Sequence, residues 1–131
     1  MGAKTILIVD DEMDMRLYLA TLLESHGYRP LTRRDGKDGM DSLHADRPDL
    51  IILDIMMPGD GGVKMFSRLK GDKAFADIPV IMLSAVAETS FRHFLTMLNA
   101  QKRHPVPAPT AYLEKPVDHD RLIQIVRATI G

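Results

Sequence analysis

The chain has 131 residues, enough to build one hydrophobic core and too few for two. Apolar residues make up 45% and charged residues 27%, which excludes a disordered chain. A formal net charge of −1 offers nucleic acid no overall basic field, and the lack of cysteine removes disulfides, thiolate metal sites and thiol nucleophiles together.

Cysteine-free composition fits a reducing compartment. No stretch approaches the length of a membrane span, and the run from Thr5 to Val9 is too short for a signal-peptide core. Met1-Gly2 opens like a myristoylation site, but Ile6 stands where that motif needs Ser or Thr. A soluble cytoplasmic domain with no membrane partner is the expectation.

Thr5 to Val9 is a β-branched apolar strand that runs into Asp10-Asp11-Glu12. Met13 to His26 reads as a helix, with a face of Met13, Leu17 and Ala20 widened by Leu19, Leu22 and Leu23, and Gly27 as its stop. Tyr28 to Thr32 is a short strand with Pro30 inside it, hence an edge. Lys37 to Ala45 is a second helix, with Met40 and Leu43 or His44 inward. Leu50 to Leu53 is a continuous apolar run ending at Asp54, with a Pro58-Gly59 turn beyond, and it suits a strand buried on both faces.

Gly61 and Gly62 open a third helix with Val63, Phe66 and Leu69 inward, closed by Gly71. Ile78 to Leu83 is a buried strand ending at Ser84, and Phe91, Phe94, Leu95 and Leu98 follow helical spacing. Thr110 to Leu113 is a fifth strand ending at Glu114-Lys115-Pro116. Asp118 caps a last helix with Leu122, Ile125, Val126 and Thr129 along its buried side. Strands alternating with helices imply right-handed crossovers and a parallel sheet covered on both faces.

All strands of such a sheet leave at one edge, where ligands bind. The residues at those exits are Asp10, Asp11, Asp54, Ser84 and Lys115. Crowded carboxylates need a cation, and an all-oxygen ligand set selects a hard ion such as Mg²⁺, with Mn²⁺ also suited. A hydroxyl and an ammonium add the means to hold a phosphoryl group, and a carboxylate can form an acyl phosphate.

Each feature also has a plainer reading. Ser84 reads as a helix N-cap, Lys115 as a solvated turn residue, Tyr112 as strand packing and Asp54 as a turn cap. The five histidines are scattered without ligand spacing and read as surface residues, and the nine methionines as core filler.

Ile8-Val9-Asp10-Asp11, Asp54 with Met57-Pro58-Gly59, Ser84-Ala85 and Tyr112-Leu113-Glu114-Lys115-Pro116 occur in order at strand ends. In this the chain resembles the receiver domains of two-component response regulators, of the single-domain chemotaxis type. The resemblance runs from Lys4 to Ile130 within one domain, 1–131. It implies an α/β flavodoxin-like fold, a doubly wound five-stranded parallel sheet of order 2-1-3-4-5 with five helices.

It further implies that Asp54 is the phospho-acceptor for a sensor histidine kinase or phosphotransfer protein. Asp10, Asp11, Asp54 and the Met56 carbonyl match the Mg²⁺ site; Ser84, the Ala85 backbone and Lys115 match the phosphoryl-binding groups. Ser84 and Tyr112 match the switch pair. Pro58, Gly59 and Pro116 match structural turns, the last through a cis bond. The output is a downstream protein target or a fused output domain, with the chain either whole or the receiver part of a longer regulator.

Two departures from the family pattern stand out. Asp60-Gly61-Gly62 moves an acid one place along the loop after the acceptor. A longer Pro-rich insert at about 99–110 carries Lys102, Arg103 and His104, and it replaces the usual approach to the fifth strand. It reads either as a longer loop or as an altered output surface.

Two other functions compete with the signalling receiver, which is not itself an enzyme beyond assisting its own phosphorylation and dephosphorylation. One is a binding module that needs no phosphorylation, against which the full set of site residues argues. The other is a Mg²⁺-dependent phosphatase with an aspartyl nucleophile. That chemistry wants an acid two residues after the nucleophile, and Met56 cannot donate a proton.

Overall fold

The computed structural model of the chain describes residues 2–56 and 61–131. The expectations placed on Met57, Pro58, Gly59 and Asp60 lie outside the described residues.

Apolar runs build the sheet. β1 (Thr5–Val9), β3 (Leu50–Asp54) and β4 (Val80–Ser84) are buried along their whole lengths, as strands covered on both faces must be. β2 (Arg29–Arg33) and β5 (Ala111–Glu114) form the edges, and the five strands pair in parallel in the order β2-β1-β3-β4-β5. Pro30 sits on edge strand β2, where a missing N–H costs no interior ladder bond.

Side chains alternate across the sheet and fill two cores. Leu7, Val9, Ile51, Leu53, Val80 and Met82 face one side. There they meet Leu43 of α2 (Gly36–Leu43), Met65, Phe66 and Leu69 of α3 (Gly62–Gly71), and Phe91 and Leu95 of α4 (Glu88–Asn99). Ile6, Ile8, Leu50, Ile52, Ile81 and Leu83 face the other side, against Leu19 and Leu23 of α1 (Met13–Ser25) and Leu122, Ile123 and Val126 of α5 (His119–Ile130). Shifting any of these strands by one residue would exchange its two buried sets, so the register is well specified.

Four inward faces differ from expectation, that of α3 in that Met65 joins Phe66 and Leu69 in the core and Val63 is only partly buried. In α1 the buried residues are Leu19 and Leu23, with Met15, Ala20 and Leu22 packed partly against them, while Met13 and Leu17 are 70% and 67% exposed. Apolar residues lie all round this helix, so their spacing does not choose a face. In α4, Phe91 and Leu95 are buried and Leu98 packs beside them, but Phe94 is exposed. In α5, Ile123 joins Leu122 and Val126 in the core, with Ile125 only partly buried. The methionines also divide: Met65 and Met82 fill core, whereas Met13, Met56 and Met97 are exposed. All five histidines are exposed, as expected.

Helix ends follow local chemistry. Asp35 caps α2 by accepting from the Asp38 N–H, so the helix starts at Gly36, one residue before the expected Lys37. Asp118 caps α5 by accepting from the Arg121 N–H. Gly27 adopts φ +89°, the left-handed conformation that ends α1 without a Cβ penalty.

The connection between α4 and β5 is anchored at both ends. The Asn99 amide donates to the Val106 carbonyl at 2.7 Å and accepts from its N–H at 2.8 Å, and the Val106 side chain is buried in the α3–α4 core. Thr110 then bonds back to Val80, which starts β5 in register.

Candidate functional site at the strand exits

The sheet changes direction at β1, whose neighbours β2 and β3 lie on opposite sides, and that reversal opens a crevice beyond the strand ends. Asp10 follows β1, Asp54 ends β3, Ser84 ends β4 and Lys115 follows β5. Asp54 pairs in register with Leu83, and Ser84 with Glu114, so the acid, the hydroxyl and the lysine share one rim.

The Lys115 ammonium joins the acids. It lies 3.3 Å from Asp10 Oδ2, 3.3 Å from Asp54 Oδ2 and 3.8 Å from Glu12 Oε1. Both aspartates are almost fully buried, at 1% and 3% exposure. These contacts are longer than the best charge-assisted bonds of about 2.8 Å, as expected for one ammonium shared among carboxylates.

Burial pushes the Asp54 carboxyl above the ordinary aspartate range, and the neighbouring Asp10 carboxylate pushes it the same way. Lys115 and the Met56 N–H, which donates to Asp54 Oδ1 at 3.1 Å, oppose that rise without cancelling it. Burial works against the Lys115 ammonium, but Asp54 and Asp10 together hold it above the usual lysine value. The two directions are compatible, because Asp54 carries a burial cost and a like-charge neighbour that lie outside its pair with Lys115.

The loop after β1 is built to present acids. Asp10 Oδ1 accepts from the Glu12 N–H at 2.9 Å, and Arg16 donates to the Asp10 carbonyl oxygen at 2.7 Å. Asp10, Asp11 and Glu12 each offer a carboxylate oxygen, all within 4.8 Å of one another, with Asp11 and Glu12 exposed at the mouth. Three hard oxygen donors with a net negative charge fit a divalent cation such as Mg²⁺. Asp10 and Asp11 are the ligands expected from the sequence; Glu12 joins them only in the structure, its one signal in the chain being its place beside them. Asp54 meets this group through Lys115.

Ser84 is fully buried, and its Oγ accepts from the Val86 N–H at 3.0 Å. It does not cap α4, whose N-cap is Ala87. Tyr112 is half-buried; its hydroxyl donates to the Val86 carbonyl oxygen at 2.6 Å, and its ring stacks on Phe91 with centroids 5.2 Å apart. Burial raises the Tyr112 hydroxyl above the usual tyrosine value. Val86 is therefore held on one side by Ser84 and on the other by Tyr112, a junction that an apolar residue gives no sign of in sequence.

Ala85 is exposed beside Ser84, and the Met56 side chain is exposed beside Asp54. The Lys115–Pro116 peptide bond is cis. Helix α3 abuts the acceptor: a Cβ on Gly62 would lie 2.0 Å from the Asp54 carbonyl oxygen, so only glycine fits.

A parallel doubly wound sheet with acids, a hydroxyl and a lysine at its switch point defines a class, and sequence comparison gives the family. Residues 6–127 match the response regulator receiver domain, so the chain belongs to that family of two-component signalling domains. It is 32% identical over 129 residues to the polar-differentiation response regulator DivK of Brucella anthropi, covering 98% of this chain and 97% of that protein. It is 44% identical over 88 residues to the phosphate regulon transcriptional regulatory protein PhoB of Pseudomonas aeruginosa, covering 67% of this chain and only 38% of that protein. Among solved structures, the response regulator TrrA of Thermotoga maritima in complex with Mg(2+)-BeF superposes with a TM-score of 0.79 at 29% identity, covering 96% of this chain and 98% of that one. Among the described residues no helix is long and apolar enough to cross a membrane.

Proposed function

We propose that Asp54 accepts a phosphoryl group from the phosphohistidine of a sensor histidine kinase or phosphotransfer protein. The observation that carries this reading is the buried Asp54 carboxylate joined through Lys115 to Asp10. An Asp54 oxygen forms the new bond to phosphorus, the phosphorus–nitrogen bond breaks, and the imidazole leaves with the electron pair. Burial makes the carboxylate more basic and so a better nucleophile than a solvated one.

Lys115, already 3.3 Å from Asp54 Oδ2, pairs with a phosphoryl oxygen on that side. The Ser84 hydroxyl proton and the Ala85 N–H serve the other phosphoryl oxygens. Asp10 and Asp11, with Asp54 and the Met56 carbonyl, would hold the Mg²⁺, and Glu12, grouped with Asp10 and Asp11, would be a further donor. When bound, that ion neutralises charge gathering on the phosphoryl oxygens.

The dianionic group on Asp54 draws Ser84 toward it. Ser84 and Tyr112 both hold Val86, so that movement passes to the α4–β5 face. There a downstream protein, or an output domain fused to the receiver, reads the state. Residues 1–131 act as one receiver unit in the cytoplasm, and the site also assists loss of its own phosphoryl group.

The test is phosphotransfer from a kinase labelled with ³²P on its histidine. The label moves to the wild-type chain and not to Asp54→Asn. Equal labelling of the two would remove Asp54 from the reaction.

A further inference from the structure

A second polar cavity lies at the other end of the sheet. It measures about 170 Å³ and is lined by Ser67, Lys70, Lys102, His104, Pro105 and Val106. Its walls are the end of α3 and the anchored connection after α4. β4 begins there and runs toward Ser84, so some four residues of strand, about 13 Å, separate the cavity from the acceptor rim.

The cations around this cavity have neutral partners. Lys70 Nζ donates to the carbonyl oxygens of Ala76 at 3.0 Å and Ile78 at 2.9 Å and lies 5.7 Å from the centroid of the Phe66 ring, all of them neutral groups. Lys102 Nζ donates to Ser67 Oγ at 3.4 Å. Among the described residues, no carboxylate lies within ion-pair distance of Lys70, Lys102, Arg103 or His104. Asp77 is the acid that acts on Lys70, and its carboxylate is already bound by Arg47 at 2.7 Å. Burial holds the Lys70 ammonium below the usual lysine range, as it does for a cation short of counter-charge.

The rim is also fixed. The paired bonds between Asn99 and Val106 close the loop that carries Lys102 and His104, and burial of Val106 pins it to the core. Little ordering entropy remains to be lost when a ligand enters.

We infer that this cavity binds an oxyanion, a phosphate or carboxylate group, through Lys70, Lys102, His104 and the Ser67 hydroxyl. The group is either a free phosphate or the acidic side chain of a partner protein. Such an anion supplies the directly bonded counter-charge that neither Lys70 nor Lys102 has, through charge-assisted hydrogen bonds.

Amide NMR titration of the full chain with sodium phosphate at constant ionic strength tests this, with a poly-glutamate peptide as the second probe. Saturable shifts are expected at Gly71, Lys102 and Val106. They are unchanged in Asp54→Asn and weakened about tenfold or more in Lys102→Gln/His104→Gln, the size of one charge-assisted bond. Both altered side chains are exposed, so the variant folds. Saturation by the peptide at lower concentration assigns the group to a protein carboxylate; saturation by phosphate alone assigns it to a free oxyanion. Shifts confined to the Asp54–Lys115 rim, shifts that never saturate, or shifts that persist in the double variant would overturn the site.

Discussion

Lys115 Nζ stands 3.3 Å from Asp54 Oδ2, and both groups are withdrawn from water. The same ammonium is 3.3 Å from Asp10, so one cation offsets two buried carboxylates that would otherwise repel. Removing it in Lys115→Met leaves those charges buried and uncompensated, at a cost of about 3–5 kcal/mol at pH 7. Because burial holds the Asp54 carboxyl above the ordinary aspartate range and protonation removes its charge, the loss shrinks as pH falls toward 4. Thermal melts of the two proteins at pH 7 and pH 4.5 check this.

Asp54→Asn acts in the opposite direction. Burial and Asp10 raise the folded-state pKa of Asp54, so the folded protein binds more protons than the unfolded chain just above the usual aspartate range. That contribution to stability is fully present below the unfolded pKa and is lost as pH rises through the folded value. At neutral pH, then, the ionised carboxylate costs stability. Without added metal, Asp54→Asn should melt higher at pH 7, by about 4 °C for each 1 kcal/mol in a domain of this size. The gap should close near pH 4, and equal melting of the two proteins across that range would contradict the account.

Divalent metal should reverse the wild-type deficit. An ion that binds only the folded chain adds about 1.4 kcal/mol at ten times its dissociation constant. Mg²⁺ should raise the wild-type melting temperature, and Asp11→Ala should abolish most of that rise while leaving the metal-free melt little changed, since Asp11 is exposed. Glu12→Gln tests the residue added by the structure: a weaker Mg²⁺ response places its carboxylate among the ligands.

Gly62→Ala probes the fit of α3 against the acceptor. The new methyl would meet backbone atoms, 2.0 Å from the Asp54 carbonyl oxygen and 2.7 Å from the Ile55 Cα, neither of which can rotate away. The strain should cost about 3 kcal/mol and slow phosphorylation by displacing the acceptor. A variant that melts and is phosphorylated like wild type would show that α3 shifts freely.

Much of this architecture was legible in the chain because burial leaves a compositional trace. Continuous apolar runs located β1, β3 and β4, and the polar residues ending them located the rim. Helix faces were harder. α1 carries apolar residues on every side, so spacing points to Met13, Leu17 and Ala20 together with Leu19, Leu22 and Leu23, and packing buries Leu19 and Leu23 while leaving Met13 and Leu17 exposed. Phe94 fits the spacing of α4 yet lies exposed, because Phe91 and Leu95 already fill the contact with the sheet. The junction at Val86 works through its N–H and carbonyl, groups that every residue but proline carries, so the side chain announced nothing.

The most direct measurement is intact mass after incubation with Mg²⁺ and acetyl phosphate, run beside Asp54→Asn and beside a sample with the metal chelated. The account predicts one added phosphoryl group on the wild-type chain, absent from the variant and from the chelated sample. An adduct that survives the Asp54→Asn change, or a wild-type chain that takes up none, would contradict it.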